Sequence, residues 1–547
     1  MKSRRKKILG GAIGSDVHVA GILNFLDLAR KENYKTIYLG GAIPLEKLIG
    51  GIIETDPEIV AISYRLGKEA LKNLLKELEN TLKREGLLNN RSFVFGGTHE
   101  TANIAREFGL FEKIFDGSES VEDVVMYLRG EMRGVRKEDY PQQLVERIEF
   151  KAPYPLIRHH IGLQTLEETE SEIIMLAESE QLDIISLAPD QNAQQWFFNS
   201  EKMDPSQDGA GGAPFRKEED FARMYRASRR GNFPLLRCYS GTQDLIKFSK
   251  LLHKTINNAW AAIPLTWYSE LDRRSDRDLK DAIKENQKAI EWNASHGIPV
   301  EINESHQWAL RYAHDTVEVA TAFLAAYNAK KLGVKTYVAQ YMFNTPPGIS
   351  PAMDIAKMLA KKELIESLHD ESFHSYRMVR TGLLSFPADE DMAKGQLISS
   401  TFTASYLQPH IIHVVAFCEA KRRAKAKEII ESVKMVKKAY TEAMKGLPDF
   451  EADQKIKTRK EELVQEALLI IEAIKQFGKG SKDPLVDPEV IWAAIKTGIL
   501  DAPGLMKMSV ARGSVKTGIV NGANRALDDE GQPITEKKRL ERLGFRL

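Results

Sequence analysis

Residues 7–21 read KILGGAIGSDVHVAG. A short apolar run ends in a loop of small residues, and the loop carries an aspartate two positions before a histidine. The next stretch, AGILNFLDLARKEN (20–33), has the apolar spacing of an amphipathic helix. The alternation continues outward. KTIYLGG, EIVAISY, SFVFGG and FEKIFDG read as further strands, and PLEKLIGGIIET, GKEALKNLLKELENTLKREG, THETANIAREFG and SVEDVVMYLRG read as the helices between them and after the last. Strands separated by whole helices must pair in parallel, with helices on both faces, so residues 1–134 are expected to form a flavodoxin-like (Rossmann-like) doubly wound domain. Ligands of such sheets sit at the carboxyl ends of the strands, where Asp16, Ser63 and Gly96 fall.

Composition narrows the function classes. The 547 residues are 43% hydrophobic, too many for one compact core. Lys plus Arg total 78 against 77 for Asp plus Glu, so no global field favours nucleic acid or an acidic membrane. Two cysteines, Cys238 and Cys418, exclude a disulfide framework or a cysteine zinc site and suit a reducing cytoplasm. The basic start is broken by glycines before it could serve as a signal peptide, and no apolar run reaches a membrane span.

Residues 135–155 are charged and poorly periodic and read as a linker. Beyond them, apolar runs ending in polar or aromatic residues recur: DIISLAPD, FPLLRCYS, AWAAIPLTWY, IPVEINES, KTYVAQYMFN and IIHVVAFCEA. This pattern predicts a TIM-type (β/α)8 barrel over 156–547, its chemistry on the loops after the strands. A long charged helical region from about 419 to 478 reads as a solvated face packed on the barrel.

The loop after the first strand has a specific chemistry. A histidine that binds metal through one ring nitrogen keeps a proton on the other, and a carboxylate accepting that proton fixes tautomer and ring angle. Asp16 is spaced to do this for His18, while Gly14, Ser15, Ala20 and Gly21 leave room for something bulky. A surface or core histidine with a neighbouring aspartate would look the same in isolation.

Taken together, D-x-H-x-x-G after strand one, a serine after strand three and Gly-Gly after strand four resemble the small cobalamin-binding subunit of glutamate mutase, the B12-dependent methylaspartate mutase, over residues 8–129. The resemblance implies adenosylcobalamin as cofactor and His18 as the lower ligand to cobalt. It implies Asp16 as that ligand's partner, Gly21, Ser63, Gly96 and Gly97 at the nucleotide tail, and Ser15, Val17, Val19, Tyr64, Arg65 and Thr98 as further cofactor-binding residues. The family reads Ser-x-Leu where this chain has Ser63, Tyr64, Arg65. From about 150 onward the chain resembles the large barrel subunit of the same enzyme. Gly162 matches its first barrel loop, Phe386 an adenosyl-contacting position and Glu419 a ribose-contacting one. One polypeptide thus joins what that enzyme keeps as two.

The departures bear on the substrate. Where the family clamps two carboxylates with arginines, this chain aligns His160 and Gln194, and an adenosyl-contacting lysine becomes Val415. A less anionic substrate than glutamate is therefore expected. Strand ends supply the candidate catalytic groups His160, Asp190, Gln194, Arg237, Tyr268 and Glu304, with Gln191, Tyr239, Glu270, Asn303 and His306 beside them; each is equally a barrel-layer or loop-capping residue. Trp260, Trp267 and Tyr341 read as packing, and GAGGAPFR (209–216) as a mobile lid rather than a phosphate loop. The expected function is a cobalamin-dependent radical isomerase acting on a small molecule. A fused corrinoid methyltransferase and a non-catalytic cobalamin-binding protein are the alternatives. No nucleic acid or membrane partner is expected, and a homodimer through the barrel is the expected assembly.

Overall fold

A computed structural model describes residues 6–119, 121–130 and 140–546, the side chain of Glu122 excepted. The chain divides into two compact units, Met1–Arg136 and Lys137–Leu547. The boundary expected near residue 135 lies outside the described residues.

The first unit is a five-stranded parallel sheet of β1 (Lys7–Ala12), β2 (Lys35–Tyr38), β3 (Ile59–Tyr64), β4 (Ser92–Gly97) and β5 (Lys113–Phe115), in the order β2-β1-β3-β4-β5. This is the flavodoxin order, with its switch point between β1 and β3. Alternate residues feed two cores. Leu9, Val60, Ile62, Phe93 and Phe95 face the helices Leu45–Thr55 and Lys68–Arg84. Ile8, Ile59, Ala61 and Val94 face Ala20–Lys31 and Val121–Arg129. That is why these strands read as continuous apolar runs rather than alternating ones. On Lys68–Arg84, Leu71, Leu75, Leu78 and Leu82 fall on one stripe and are fully buried, each worth about 1.5–3 kcal/mol relative to exposure. Glycines 10 and 11 let both helix layers close on β1. A Cβ at Gly10 would lie 2.9 Å from Ile22 Cδ1, and one at Gly11 2.8 Å from Ile43 Cδ1.

The second unit is a TIM-type (β/α)8 barrel. Its strands are β6 (Leu156–Ile161), β7 (Ile184–Leu187), β8 (Leu235–Cys238), β9 (Ala261–Ile263), β10 (Val300–Ile302), β11 (Thr336–Phe343), β12 (His374–Thr381) and β13 (Ile411–His413). They run parallel in chain order, β13 returning to β6, and a bridge between Tyr239 and Ala262 joins β8 to β9. Strands β6 (LIRHHI) and β12 (HSYRMVRT) are absent from the apolar runs of the sequence because half or more of their residues are polar.

Within the stretch expected to link the units, Leu144–Lys151 is a helix of the second unit. Its Leu144 and Ile148 join Leu156, Ile184, Leu235, Trp260 and Ile411 in one cluster at the strands' amino ends. Arg147 anchors it, donating to the carbonyls of Pro141, Asn232 and Phe233. After the barrel come the helices Ala426–Met444, Gln454–Phe477 and Pro488–Thr497. An antiparallel hairpin of β14 (Lys516–Val520) and β15 (Ala523–Leu527) completes this outer layer. Among the described residues no helix is long and apolar enough to cross a membrane.

A buried ionic cluster ties these outer elements together. Lys357 Nζ lies 2.8 Å from Glu318, 3.6 Å from Asp315 and 3.5 Å from Asp354, and donates to the Thr345 carbonyl at 2.6 Å. Lys361 meets Glu318 at 2.9 Å, and Arg459 of Gln454–Phe477 meets Asp315 at 3.2 Å. Asp315 also accepts from the backbone N–H of Asn524 in the hairpin. Cys238 and Cys418 are unpaired and buried, and burial pushes their thiols up to about 12 and about 11.

Candidate functional site

The first unit presents the strand-one loop as the sequence suggests. Asp16 is completely buried, and both its oxygens are committed. Oδ1 accepts the backbone N–H of His18 at 2.9 Å and lies 2.8 Å from His18 Nδ1, while Oδ2 accepts the N–H of Arg65 at 2.6 Å. The carboxylate thereby stitches the loop after β1 to the loop after β3. Because a carboxylate only accepts, His18 Nδ1 carries a proton, and Nε2 makes no hydrogen bond among the described residues. The His18 side chain is 55% exposed, and the neighbouring Val17 is 67% exposed. The imidazole is therefore held in one orientation on an open rim.

Beside this rim lies a cleft of about 490 Å³ at the carboxyl ends of β3, β4 and β5. Ile22, Phe25, Ala61, Val94 and Phe115 supply apolar walls, and Ser63, Arg65, Thr98 and Asp116 polar points. The glycines divide in meaning. A Cβ at Gly97 would meet Thr101 Oγ1 at 2.3 Å and the Tyr64 carbonyl at 2.7 Å, so this glycine serves the approach of the helix His99–Glu107, which Thr98 and Thr101 cap reciprocally. Gly21 and Gly96 meet nothing within 4 Å and line the cleft. Packing does not demand glycine at either position. Gly96→Leu is accordingly expected to leave the thermal midpoint unchanged while weakening any cleft ligand by about 10-fold or more, measured by titration calorimetry.

In the second unit a cavity of about 660 Å³ opens at the carboxyl ends of the barrel strands. Arg158, Arg237, Glu301, Asn303, Gln340 and Arg380 point into it from β6, β8, β10, β11 and β12 or their ends, with His413 from β13. Arg237 Nη2 and Trp260 Nε1 both donate to Glu301 Oε2, at 2.9 and 2.7 Å. Arg158 donates to Ser186 Oγ at 2.6 Å and lies 2.8 Å from His160 Nε2, while His160 Nδ1 is 3.0 Å from His413 Nε2. Burial, and then the Arg158 charge, hold His160 and His413 well below the usual imidazole range, so both are neutral. Burial and Arg237 bring Arg158 down to about 9.

The loop after β9 contributes Tyr268, Asp272, Arg273 and Arg274 to the cavity lining. Tyr268 has φ 61 and lines the cavity. Such a backbone conformation costs a non-glycine residue about 1–3 kcal/mol and persists only where surroundings impose it. Here Ser275 Oγ and Arg277 Nη2 both donate to the Tyr268 carbonyl at 2.8 Å. Burial pushes the Tyr268 phenol up to about 12, so it is a hydrogen-bond donor at neutral pH.

The sequence candidates separate on this geometry. Gln194, Arg237 and Tyr268 line the cavity, with Gln191, Tyr239, Asn303 and His306. His160 sits just behind it, stacked on Tyr239 with centroids 5.0 Å apart. Asp190 does not face the cavity. It caps the helix Gln191–Trp196 through Ala193 N–H, accepts from Gly209 N–H, and takes both ends of the Arg216 guanidinium at 3.0 and 2.6 Å. Glu304 is likewise consumed, accepting from Leu265 and Thr266 N–H, Thr266 Oγ1 and Trp308 Nε1. It holds the β9 loop in shape. Residues 209–216 are no free lid, since Ala213 and Phe215 are fully buried and Ala213 pairs with Ala188.

Gly162 has a packing reason of its own, because a Cβ there would lie 2.2 Å from the Ala188 carbonyl. Phe386 is buried. Glu419 Oε1 is held by Ala416 N–H at 2.7 Å and by His159 Nε2 at 2.9 Å; against burial, which raises it, His159 keeps this carboxyl below its usual range. Sequence reasoning missed Arg158, Glu301, Gln340, Arg380 and His413.

No family model matches the chain, and no curated protein matches it. Solved structures similar to it in part include a cobalamin-binding protein from Desulfitobacterium hafniense DCB-2, 25% identical over 24% of this chain and 60% of that one, with a TM-score of 0.21. A glycoside hydrolase family 138 enzyme targeting the pectin rhamnogalacturonan II is 8% identical over 90% of this chain and 55% of its own, with a TM-score of 0.32. The cobalamin-dependent S-adenosylmethionine radical enzyme OxsB is 10% identical over 92% of this chain and 74% of its own, with a TM-score of 0.19. The chain thus spans 60% and 55% of the lengths of the first two. None of these superpositions reaches a TM-score of 0.5, and the function is read from the chain's own geometry.

Proposed function

We propose that the first unit binds a cobalamin with His18 as a ligand to its cobalt, and that the barrel is the substrate chamber of an adenosylcobalamin-dependent radical isomerase. The observation that carries this is the single, oriented imidazole. Among the described residues no group of three or more His, Cys, Asp or Glu side chains could hold a metal ion. A metal taken by His18 alone must bring its remaining ligands with it, as a metal in a macrocycle does. The rest of the unit fits such a group: a tail-sized cleft beside the histidine, apolar walls, and two glycines whose Cβ positions are open.

When bound, adenosylcobalamin supplies a cobalt–carbon bond whose homolysis starts radical chemistry. The chain's own residues do the rest. Asp16 keeps the proton on His18 Nδ1, which fixes the ring and raises the basicity of Nε2. Gly21, Ser63 and Gly96 line the tail cleft, and Glu419, steadied by His159, offers a carboxylate to hydroxyl groups. In the barrel, Arg237, Gln194 and Tyr268 orient the substrate, and a deep chamber keeps water from reactive species.

The test is electron paramagnetic resonance of the cobalt(II) form of the cofactor on protein labelled with 15N-histidine. A nitrogen splitting that changes from triplet to doublet with the label supports histidine ligation, whereas an unchanged triplet refutes it. Anaerobic mixing with adenosylcobalamin and candidate substrates is then expected to give a radical signal. Demethylation of methylcobalamin by thiol or amine acceptors, without that signal, would replace the isomerase by a methyltransferase.

A further inference from the structure

The barrel cavity carries an unbalanced charge. Five of its lining residues are arginines, Arg158, Arg237, Arg273, Arg274 and Arg380, against two acids, Asp272 and Glu301. Both acids are already engaged. Asp272 Oδ2 lies 3.5 Å from Arg274 and 3.6 Å from Arg311, and Glu301 Oε2 is bonded by Arg237 and Trp260. The lining histidines His306 and His413 add no charge, because burial and nearby cationic side chains keep them neutral. Among the described residues, Arg158, Arg273 and Arg380 bond neutral partners: a serine hydroxyl, methionine sulfur and imidazoles for Arg158, and backbone carbonyls for the other two.

The same wall exposes bonding capacity that nothing among the described residues uses. Arg237 Nε and Nη1, Asn303 Nδ2 and Gln340 Nε2 are buried without a hydrogen-bond partner, on residues 0%, 3% and 8% exposed. The orphaned acceptors of the lining are Glu301 Oε1 and Asp272 Oδ2. Buried donors and uncompensated guanidinium groups are costly unless something bonds them. Here they converge on one chamber from β8, β10 and β11.

We propose that this chamber binds a small hydroxylated oxyanion carrying at least two negative charges, its oxygens on Arg158, Arg237, Arg380, Asn303 and Gln340 and a hydroxyl on Glu301 Oε1. The proposal rests on the barrel being the substrate chamber and not on the cofactor reading. It reverses the expectation of a less anionic substrate drawn from the aligned positions. An amino acid fits less well, since its ammonium group would add a further cation to a chamber already lined by five arginines. Phosphate esters and polycarboxylates share the required chemistry.

The test is titration calorimetry of the full chain, with no corrinoid present, against pyrophosphate, citrate, L-glutamate and glycerol at low and high salt. Pyrophosphate or citrate is expected to bind about 10-fold or more tightly than glutamate, weakening as salt rises. The tighter of the two identifies a phosphate or a carboxylate source. Arg380→Gln should cost about 10-fold in affinity, as expected for a charge-assisted contact. Arg273→Ala, on the rim, should weaken binding less without threatening the fold. Polyanions that bind no better than glutamate, or binding untouched by both variants in protein of unchanged thermal midpoint, would overturn the proposal. Failure of cobalamin uptake would leave this result standing.

Discussion

A His18→Ala chain is expected to take up hydroxocobalamin about 100-fold more weakly than the parent, and to hold what it binds without any protein nitrogen on cobalt. The loss would be large because, in the proposed binding mode, His18 is the protein's donor atom, and Asp16 already holds its ring in place. Asp16→Asn tests the same point more finely. An amide can still present one oxygen to the His18 ring, but its other end is now an NH2 group facing the Arg65 N–H, donor against donor. The loop must give up one of its two anchors, and affinity should fall by about 10- to 100-fold, the usual range for a partner behind a metal-bound histidine. Visible absorption of the bound corrinoid reads both variants. An Asp16→Asn protein with parental affinity and spectrum would mean that the carboxylate serves the loop and not the imidazole.

Lys357→Met is expected to destabilise the second unit by about 3–5 kcal/mol, the cost of removing one partner from a buried ionic group. Lys357 has no solvent exposure and stands among three carboxylates, of which Glu318 retains Lys361 and Asp315 retains Arg459. Asp354 is the exception. Without Lys357 it keeps only the Asn344 N–H among the described residues, and burial already pushes its carboxyl up to about 7. The double variant Lys357→Met, Asp354→Asn should therefore recover part of the loss. All six tryptophans belong to this unit, so urea unfolding followed by their fluorescence reports the barrel alone. A single variant within about 1 kcal/mol of the parent would show that water reaches the cluster.

The first unit was legible almost strand for strand, because its central strands β1, β3 and β4 are covered on both faces and announce themselves as apolar runs. The Asp16–His18 pair was legible too, since the residues that interact are two apart in the chain. The barrel was read through six strands of eight. The two that escaped, β6 and β12, carry Arg158 and Arg380, and their charged, inward-facing residues break the pattern that marks a strand. Spacing cannot reveal such residues, because they meet only when the barrel closes: Arg158 and Met378 touch across 220 positions, and Arg237 and Glu301 across 64. Asp190 and Glu304 failed for the opposite reason. A carboxylate at a strand end caps a loop as readily as it meets a substrate, and only the count of its bonds tells which.

The two cysteines carry a practical corollary. With both sulfurs sealed inside the second unit and their ionisation suppressed, maleimide reagents find no competing target on the native chain. Val17→Cys beside the histidine and Met392→Cys on the second unit, 67% and 66% exposed in the parent residues, would thus accept a donor and an acceptor dye without background. Energy transfer between them would track, in real time, whether the two halves of the polypeptide draw together as a ligand binds either one.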